Sequence, residues 1–318
     1  MGDLRLNAVT AILKDDLTDN TYAAVYGKGV YAVDQTGIAW EEITQDLPDK
    51  AFIDLAIVDG KLHALTETGL YFLEAKGWDS MPSPSVGEKK DNTNLDLLSA
   101  KIGLSDEMLT DHLEQAYDVK LTEDGMSTVI PIKLLSASEN LYMGTIGNGL
   151  FLKVNDEWTP VGFDGQSVVD MVFDQESKEI SVIACELTTS CRVFQSLGSN
   201  WAAIQSNLQD LQVNKLLLTE KGLVVATSSG IFLFNSETSQ WTLLGGQGKN
   251  LLSISVTEKC KLAAAGEGVV LYSQDCGESW LELTLDDWHY QSAGFIGDQS
   301  NLLLIGSQEA GAAILPLQ

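Results

Sequence analysis

The sequence predicts an all-β protein, a seven-bladed β-propeller built from four-stranded antiparallel blades. The first observation behind this prediction is the spacing of the tryptophans. Six of the seven recur at intervals of 38, 80, 43, 40 and 39 residues, at Trp40, Trp78, Trp158, Trp201, Trp241 and Trp280. A repeat of about 40 residues is typical of propellers and related arrays.

The second observation is a β-hairpin pattern, two apolar runs joined by a short loop that carries glycine. It recurs as "YAAVYGKGVYAV", "LHALTETGLYFL", "LYMGTIGNGLFLK", "LVVATSSGIFLF" and "LAAAGEGVVLYS". Looser versions are "ISVIACELTTSCRVFQ" and "LLLIGSQEAGAAILPL". The hairpins therefore number seven.

The third observation is an apolar strand before each hairpin. These strands read "VTAILKD", "FIDLAIVD", "VIPIKLLS", "VVDMVFD", "VNKLLLTE", "LLSISVTE" and "QSAGFIGD". Each repeat thus has an inner strand, a hairpin of two strands, and an outer strand that begins near tryptophan. We predict one domain over residues 1–318.

The seventh hairpin has no outer strand after it, because the sequence stops at Gln318. We expect "LRLNA" at residues 4–8 to supply this strand and close the ring, which removes exposed sheet edges. The alternative is an N-terminal tail that takes no part in the sheet. The start, "MGDLRLNAV", shows no signal peptide, although "MG" is also compatible with a removed leader.

The doubled interval between Trp78 and Trp158 predicts an insertion at residues 83–127, after the second blade. "SPSVGEKKDNTN" reads as a loop, and "SDEMLTDHLEQAYD" has the N-cap and apolar spacing of a helix. An eighth, degenerate blade is the alternative. No glycine-turn hairpin occurs there, which favours the helical insertion.

A separate motif, "SQDCGESW", follows the apolar run of the sixth hairpin and has the spacing Ser273, Asp275, Gly277, Trp280. The carboxylate of Asp275 can accept hydrogen bonds from backbone N–H groups of the turn. Glycine allows a positive φ, and tryptophan begins the next strand and buries its ring. Degenerate copies are "VDQTGIAW", "FQSLGSNW" and "FNSETSQW".

This motif resembles the Asp-box, or bacterial neuraminidase repeat. Over about 270 residues the chain resembles the superfamily of sialidase-like, sortilin-like and photosystem II assembly factor-like propellers. In those families the box is a folding element, usually remote from the active site, so the resemblance implies a structural role. The arginine-rich patch of the photosystem assembly factors has no counterpart here.

The arginine count excludes sialidase activity. That family grips its substrate carboxylate with three arginines, and this chain has only Arg5 and Arg192. Other glycoside hydrolases need two carboxylates. Asp54 and Asp170 stand near the starts of inner strands, where side chains approach the central channel, and Lys215 has a similar place. They are candidate binding residues at the channel mouth, or simply its lining.

Other catalytic chemistry has no signature in this sequence. His63, His112 and His289 lack metal-ligand spacing, and no nucleophile elbow, phosphate loop or dinucleotide fingerprint occurs. We therefore expect no catalytic residues, no metal and no cofactor. Trp288 and Tyr290, beside His289, are aromatics that would stack on a sugar or pack within a loop.

The four cysteines form two candidate pairs. Cys185 and Cys191 flank the loop of the fourth hairpin, and we expect Cys260 and Cys276 on the two arms of the sixth hairpin, nearly equidistant from its turn. Cross-strand neighbours lie close to disulfide range. Two disulfides indicate an oxidising, extracytoplasmic compartment, periplasmic or secreted. Four free thiols, the alternative, would indicate the cytoplasm.

The charge limits the partners. The chain has 45 acidic and 19 basic residues, a net charge of −26. Nucleic acid and anionic membranes are disfavoured, and no apolar stretch is long enough for a transmembrane helix. The charge keeps the protein a soluble monomer or attracts a basic protein or cations. We expect a non-catalytic protein-binding or assembly scaffold; the alternative is a carbohydrate-active hydrolase or lectin that uses the channel mouth.

Overall fold

The computed structural model describes residues 8–84 and 129–317. Within these ranges it leaves out 16–17, 19, 35, 37–38, 48–49, 68, 139, 187–189, 205–206, 209–210, 258, 284–288, 297–300 and 308–310. The predicted closing strand at residues 4–8 lies outside the described residues except for Ala8. The predicted helix within the insertion at 83–127 lies outside them as well.

Seven antiparallel sheets follow one another along the chain, and each is one blade. The first blade contains β1 (Val9–Asp15), β2 (Asn20–Val25), β3 (Gly29–Val33) and β4 (Trp40–Glu42). The second contains β5 (Phe52–Val58), β6 (Lys61–Thr66), β7 (Leu70–Glu74) and β8 (Gly77–Met81). The third contains β9 (Ile130–Ala137), β10 (Asn140–Ile146), β11 (Leu150–Val154) and β12 (Glu157–Gly162). The fourth contains β13 (Ser167–Phe173), β14 (Ile180–Glu186), β15 (Ser190–Leu197) and β16 (Asn200–Ala203).

The remaining blades have the same strand order. The fifth contains β17 (Val213–Thr219), β18 (Gly222–Thr227), β19 (Gly230–Asn235) and β20 (Gln240–Gly245). The sixth contains β21 (Leu251–Val256), β22 (Leu262–Gly266), β23 (Val269–Ser273) and β24 (Leu281–Leu283). The seventh contains β25 (Tyr290–Ile296), β26 (Leu302–Ser307) and β27 (Ala312–Pro316) among the described residues. The predicted inner strands match β1, β5, β9, β13, β17, β21 and β25 to within two residues at either end.

The inner strands stand side by side around a central axis, and the ring closes where β25 packs against β1. Ser292 Oγ of β25 donates a hydrogen bond of 2.9 Å to the carbonyl oxygen of Val9 at the start of β1. The last blade therefore meets the first directly, through residues that are 283 positions apart in sequence.

The hydrophobic core is divided among the joints between neighbouring blades. One buried cluster, for example, joins Val224 and Ile231 of the fifth blade to Ala264 and Leu271 of the sixth. Strands buried on both faces explain the continuous apolar runs of the sequence. Each blade buries its faces only against its neighbours, so stability depends on the complete ring.

Candidate functional site

A register irregularity occurs near the start of every inner strand, where one residue bulges out of the pairing with its neighbour. Bulges bend a strand and re-aim the side chains beside them. The residue that follows each bulge lines the central channel. In blade order these equivalent residues are Ala11, Asp54, Lys133, Asp170, Lys215, Ser253 and Ser292.

Four consecutive blades alternate carboxylate and ammonium at this position, and the four side chains form one connected network. Lys133 Nζ lies 3.0 Å from Asp54 Oδ2 and 3.7 Å from Asp170 Oδ1. Lys215 Nζ lies 2.9 Å from Asp170 Oδ1. The structure therefore brings together the three predicted channel residues through a fourth, Lys133, which sequence reasoning missed.

Both carboxylates also accept a backbone hydrogen bond from the next blade. Leu134 N donates to Asp54 Oδ2 at 2.8 Å, and Leu216 N donates to Asp170 Oδ2 at 2.7 Å. Asp54 and Asp170 are 4% and 1% exposed. Each carboxylate is thus buried, paired with an ammonium group and bonded to a strand of the following blade.

The two carboxylates favour the charged form of Lys133. Burial lowers the pKa of Lys133, but the carboxylates of Asp54 and Asp170 outweigh this effect and raise it above the ordinary lysine value. Two carboxylates and two ammonium groups leave the network with no net charge. The cost of burying an ion is offset when the ion has an oppositely charged partner and hydrogen bonds as well.

Neutral polar side chains join the remaining blades. Thr10 Oγ1 donates to the carbonyl oxygen of Phe52 at 2.9 Å, and Asn214 Nδ2 donates to that of Leu251 at 2.7 Å. Ser253 Oγ accepts a hydrogen bond of 3.2 Å from the backbone N–H of Ala293. Together with the charged network and the Ser292 bond, a polar contact thus crosses every joint of the ring.

The tryptophans form a second set of joints at the outer edge of the ring. The indole Nε1 of five of them donates to a backbone carbonyl on or just after the outer strand of the preceding blade. The pairs are Trp78 with Ile43 at 2.6 Å, Trp158 with Pro82 at 2.7 Å, Trp201 with Val161 at 3.1 Å, Trp241 with Ile204 at 2.8 Å, and Trp280 with Leu244 at 3.0 Å. The acceptor lies three or four residues after the preceding tryptophan, so the 40-residue spacing reflects contacts between neighbouring blades.

The Asp-box forms the turn between β23 and β24. Asp275 accepts hydrogen bonds from Ser279 N at 2.9 Å, Ser279 Oγ at 2.5 Å and Ser273 Oγ at 2.8 Å. The hydrogen bonds from Ser279, and then that from Ser273, lower the pKa of Asp275 to about 2. Gly277 has φ +83°, and a Cβ there would lie 2.8 Å from the side chain of Leu244 in the preceding blade. These contacts lie within the turn itself and against the preceding blade.

The first degenerate copy of the box, "VDQTGIAW", has glutamine at the Asp position and Asp34 one position before it. Asp34 accepts hydrogen bonds from Thr36 Oγ1 at 2.7 Å and from Ala39 N at 3.1 Å. Asp34 therefore supports the turn before Trp40 in the manner of Asp275. An acidic residue one position before the expected site was the signal available in the sequence.

Both candidate cysteine pairs are disulfides in the structure. Cys185 and Cys191 are direct cross-strand partners on β14 and β15. Cys260 and Cys276 lie just beyond the ends of β22 and β23 rather than on the hairpin arms, and the bond ties the Asp-box turn to the β21–β22 loop. The two disulfides favour an oxidising compartment.

The other candidates are a group of possible metal ligands, two aromatic residues and a membrane-spanning helix. Ligand atoms of Glu220, Cys260 and Cys276 lie within 4.8 Å of one another, but the two sulfurs are bonded to each other. Tyr290 is 3% exposed and packs in the core, so its ring is not available to stack on a sugar. Trp288 lies outside the described residues. In the described part of the chain, no helix has the length and apolar character needed to cross a membrane.

No protein-family model and no curated protein sequence matches the chain. Solved structures do match. The extracellular domain of BT4673 from B. thetaiotaomicron is similar at a TM-score of 0.67 and 13% identity over 98% of this chain. YCF48 from Cyanidioschyzon merolae is similar at a TM-score of 0.64 and 11% identity over 98% of this chain. The GH74 enzyme of Niastella koreensis is similar at a TM-score of 0.64 and 15% identity over 98% of this chain.

The lengths of these proteins differ. This chain spans 38% of the BT4673 chain, 96% of the YCF48 chain and 52% of the GH74 chain. Their activities and partners therefore do not transfer with the fold. Together with the seven sheets described above, these likenesses confirm the fold predicted from the sequence, a seven-bladed β-propeller.

Proposed function

We propose that the protein is a non-catalytic propeller that acts outside the cytoplasm and binds a protein partner, as a scaffold or assembly factor. The observation that carries the proposal is the use of both channel carboxylates as joints between blades. A glycoside hydrolase needs one protonated and one ionised carboxyl group with access to the substrate. Asp54 and Asp170 are both buried and both bonded to lysine ammonium and backbone N–H groups.

The rigidity of the ring supports a scaffold role. Polar contacts join the blades near the axis, indole hydrogen bonds join them near the outer edge, and two disulfides constrain the fourth and sixth blades. A rigid surface loses little conformational entropy when it binds. The net charge of −26 favours a basic partner through electrostatic steering.

The extracytoplasmic location rests on the disulfides, which persist in oxidising compartments. The similar domain of BT4673 is extracellular. The alternative is a carbohydrate-active hydrolase or lectin, and the hydrolase takes its support from the similar GH74 enzyme. A hydrolase requires free carboxylates at the channel, and the buried ion pairs oppose that requirement.

The proposal is tested by cross-linking the tagged protein in the compartment where it resides, identifying the captured protein, and measuring its binding to the purified propeller. We expect a basic protein whose Kd rises several-fold when the salt concentration is raised from low to physiological. Asp170→Asn serves as a control that should leave this Kd unchanged. Release of sugar from a glycan panel, abolished by Asp170→Asn, would instead establish the hydrolase.

A further inference from the structure

A cavity of about 490 Å³ lies between the second and third blades and shares no lining residue with the central channel. Strands β5 to β8 line one side of it, and β10, β11 and the turn after β11 line the other. Val58, Met81 and Leu141 belong both to its wall and to the hydrophobic cluster that joins these two blades. Its volume is within the range of small-molecule sites, about 300–1,000 Å³.

His63 of β6 lines this cavity and is 4% exposed. Its Nδ1 lies 3.1 Å from the carbonyl oxygen of Lys61, which only accepts hydrogen bonds, so Nδ1 carries the hydrogen. Burial lowers the pKa of His63 below its ordinary value of 6.5, and the ammonium groups of Lys153 and Lys61 act in the same direction. The imidazole is therefore neutral at pH 7, and its Nε2 carries a lone pair.

This Nε2 accepts no hydrogen bond from the described residues. The unpartnered side-chain atoms that are sealed from solvent in this part of the chain are Thr21 Oγ1, Ser255 Oγ and Gln291 Oε1. Nε2 of His63 is not among them, so it is accessible from the cavity that its ring lines. Because buried polar atoms normally have partners, an accessible acceptor in a nine-tenths buried side chain indicates a ligand that supplies the donor.

The equivalent position in other blades shows that packing does not require a histidine here. His63 pairs with the residue two positions after Asp54 on the inner strand of its blade. In the fifth, sixth and seventh blades the residue at this register is aliphatic and fully buried, and in the first, third and fourth it is Tyr22, Tyr142 and Ser181. A departure from what packing alone needs is expected at functional sites.

The ring beside His63 favours a flat ligand. Phe72 is the cross-strand partner of His63, and the two rings are stacked with centroids 5.7 Å apart and planes 24° apart. The lone pair of Nε2 lies in the imidazole plane, so a flat ring that donates to it in this plane is nearly parallel to Phe72, as in offset stacking. The thioether of Met81, also in the wall, makes favourable contacts with aromatic rings.

The charges around the cavity favour an uncharged ligand. Lys61 Nζ lies 2.5 Å from Glu74 Oε1. Lys153 Nζ lies 2.8 Å from Asp156 Oδ1. Each lysine of the wall is thus paired with a carboxylate, and Asp59, the other charged residue of the wall, is exposed.

We propose that this cavity binds a flat, uncharged aromatic group with one N–H or O–H donor, a phenol or an indole, which donates to Nε2 of His63. The group belongs either to a free small molecule or to a tyrosine or tryptophan side chain of a protein. For a free phenol we expect a Kd on the order of 1 mM. Because free probes test the site directly, this inference does not depend on the scaffold proposal.

The test measures the Kd of phenol, indole and toluene by saturation-transfer NMR. Toluene has a methyl group in place of the phenol hydroxyl, and it leaves water more readily. Phenol should nevertheless bind at least as tightly, because its hydroxyl reaches the acceptor. The ¹⁵N resonance of His63 Nε2 should move when phenol binds and stay in place when toluene binds. This spectral readout uses the unmodified protein.

His63→Phe keeps a ring beside Phe72 and removes the acceptor, so it should lower the ratio of phenol to toluene affinity about tenfold. Tyr142→Phe is the matched control, because Tyr142 has the equivalent position in the third blade and does not line the cavity. It should leave both Kd values unchanged. Circular dichroism melts verify that both variants fold.

Two capped tripeptides, Gly-Tyr-Gly and Gly-Phe-Gly, distinguish the sources of the aromatic group. Preferential binding of the tyrosine peptide supports a protein side chain, and binding of free phenol and indole alone supports a small molecule. The inference is overturned if neither phenol nor indole binds at about 10 mM, if the Nε2 resonance responds equally to phenol and toluene, or if a folded His63→Phe variant keeps the affinity ratio of the unmodified protein.

Discussion

The indole Nε1 of Trp280 lies 3.0 Å from the carbonyl oxygen of Leu244, which is three residues beyond Trp241 on the outer strand of the preceding blade. The same indole covers Gly245, where a Cβ would lie 2.2 Å from Nε1. The repeating tryptophan therefore connects one blade to the next through both a hydrogen bond and close packing.

Replacement of Trp280 by phenylalanine should lower the free energy of unfolding by about 1–2 kcal/mol, since it removes an indole N–H shared between the carbonyl oxygens of Leu244 and Gly277 and part of a packed ring. Urea denaturation monitored by circular dichroism measures the effect. Tyr71→Phe, on a half-buried ring in β7, is the control and should change the free energy by less than about 0.5 kcal/mol. Equal effects of the two substitutions would contradict the role of the indole.

Lys133→Met should destabilise the protein by about 3–5 kcal/mol, because it leaves the Asp54 carboxylate buried without its ammonium partner. Lys215→Met should cost less, since Asp170 lies next to Lys133 as well and the Lys215 side chain is 28% exposed. Denaturant unfolding of both variants supplies the comparison. The double variant Asp54→Asn/Lys133→Met should recover part of the loss, and failure to recover any would show that the charge pair is not the cause.

Asp275 makes the stability of the Asp-box turn depend on pH. Its pKa is about 2 in the folded protein, below the ordinary carboxyl value of 3.8. The ionised form is therefore favoured by folding, and its stabilisation is complete above about pH 4 and is lost as the pH falls towards 2. The Tm difference between the unmodified protein and Asp275→Asn should be constant from pH 5 to 7 and shrink between pH 4 and 2. A difference independent of pH would argue against these hydrogen bonds.

The disulfide of the sixth blade should stabilise the protein more than that of the fourth. The chain-entropy relation gives about 3 kcal/mol for a 16-residue separation and about 2 kcal/mol for a 6-residue separation. Unfolding of the double Cys→Ser variant of each pair tests the order. Mass mapping under non-reducing conditions must first find both bonds, and four free thiols would remove the basis for an extracytoplasmic location.

The sequence was sufficient to predict the fold because each blade repeats the same local signals. The tryptophan interval, the glycine-turn hairpin and the apolar inner strand recur in register, and the Cys185–Cys191 pairing follows from that register. The role of Lys133 was harder to predict, because the insertion places it 79 residues from Asp54. Alignment of the inner strands after their bulges would have revealed the alternation of Asp and Lys.

Other predictions still await a test. The closing strand at residues 4–8 and the helix within 83–127 lie outside the described residues. The proposed protein partner depends on chemistry that a repeat pattern does not encode, since repeats specify packing between blades and not the molecule that contacts their surface.

The central claim is that Asp54 and Asp170 hold blades together and take no part in catalysis or partner binding. The most direct test is the double variant Asp54→Asn/Asp170→Asn, with unfolding free energy, partner Kd and glycan hydrolysis measured on the same preparation. We predict a loss of several kcal/mol in stability, because two lysines lose their buried counterions, with partner Kd unchanged below the melting temperature. Unchanged stability combined with lost partner binding or lost hydrolysis would contradict the claim.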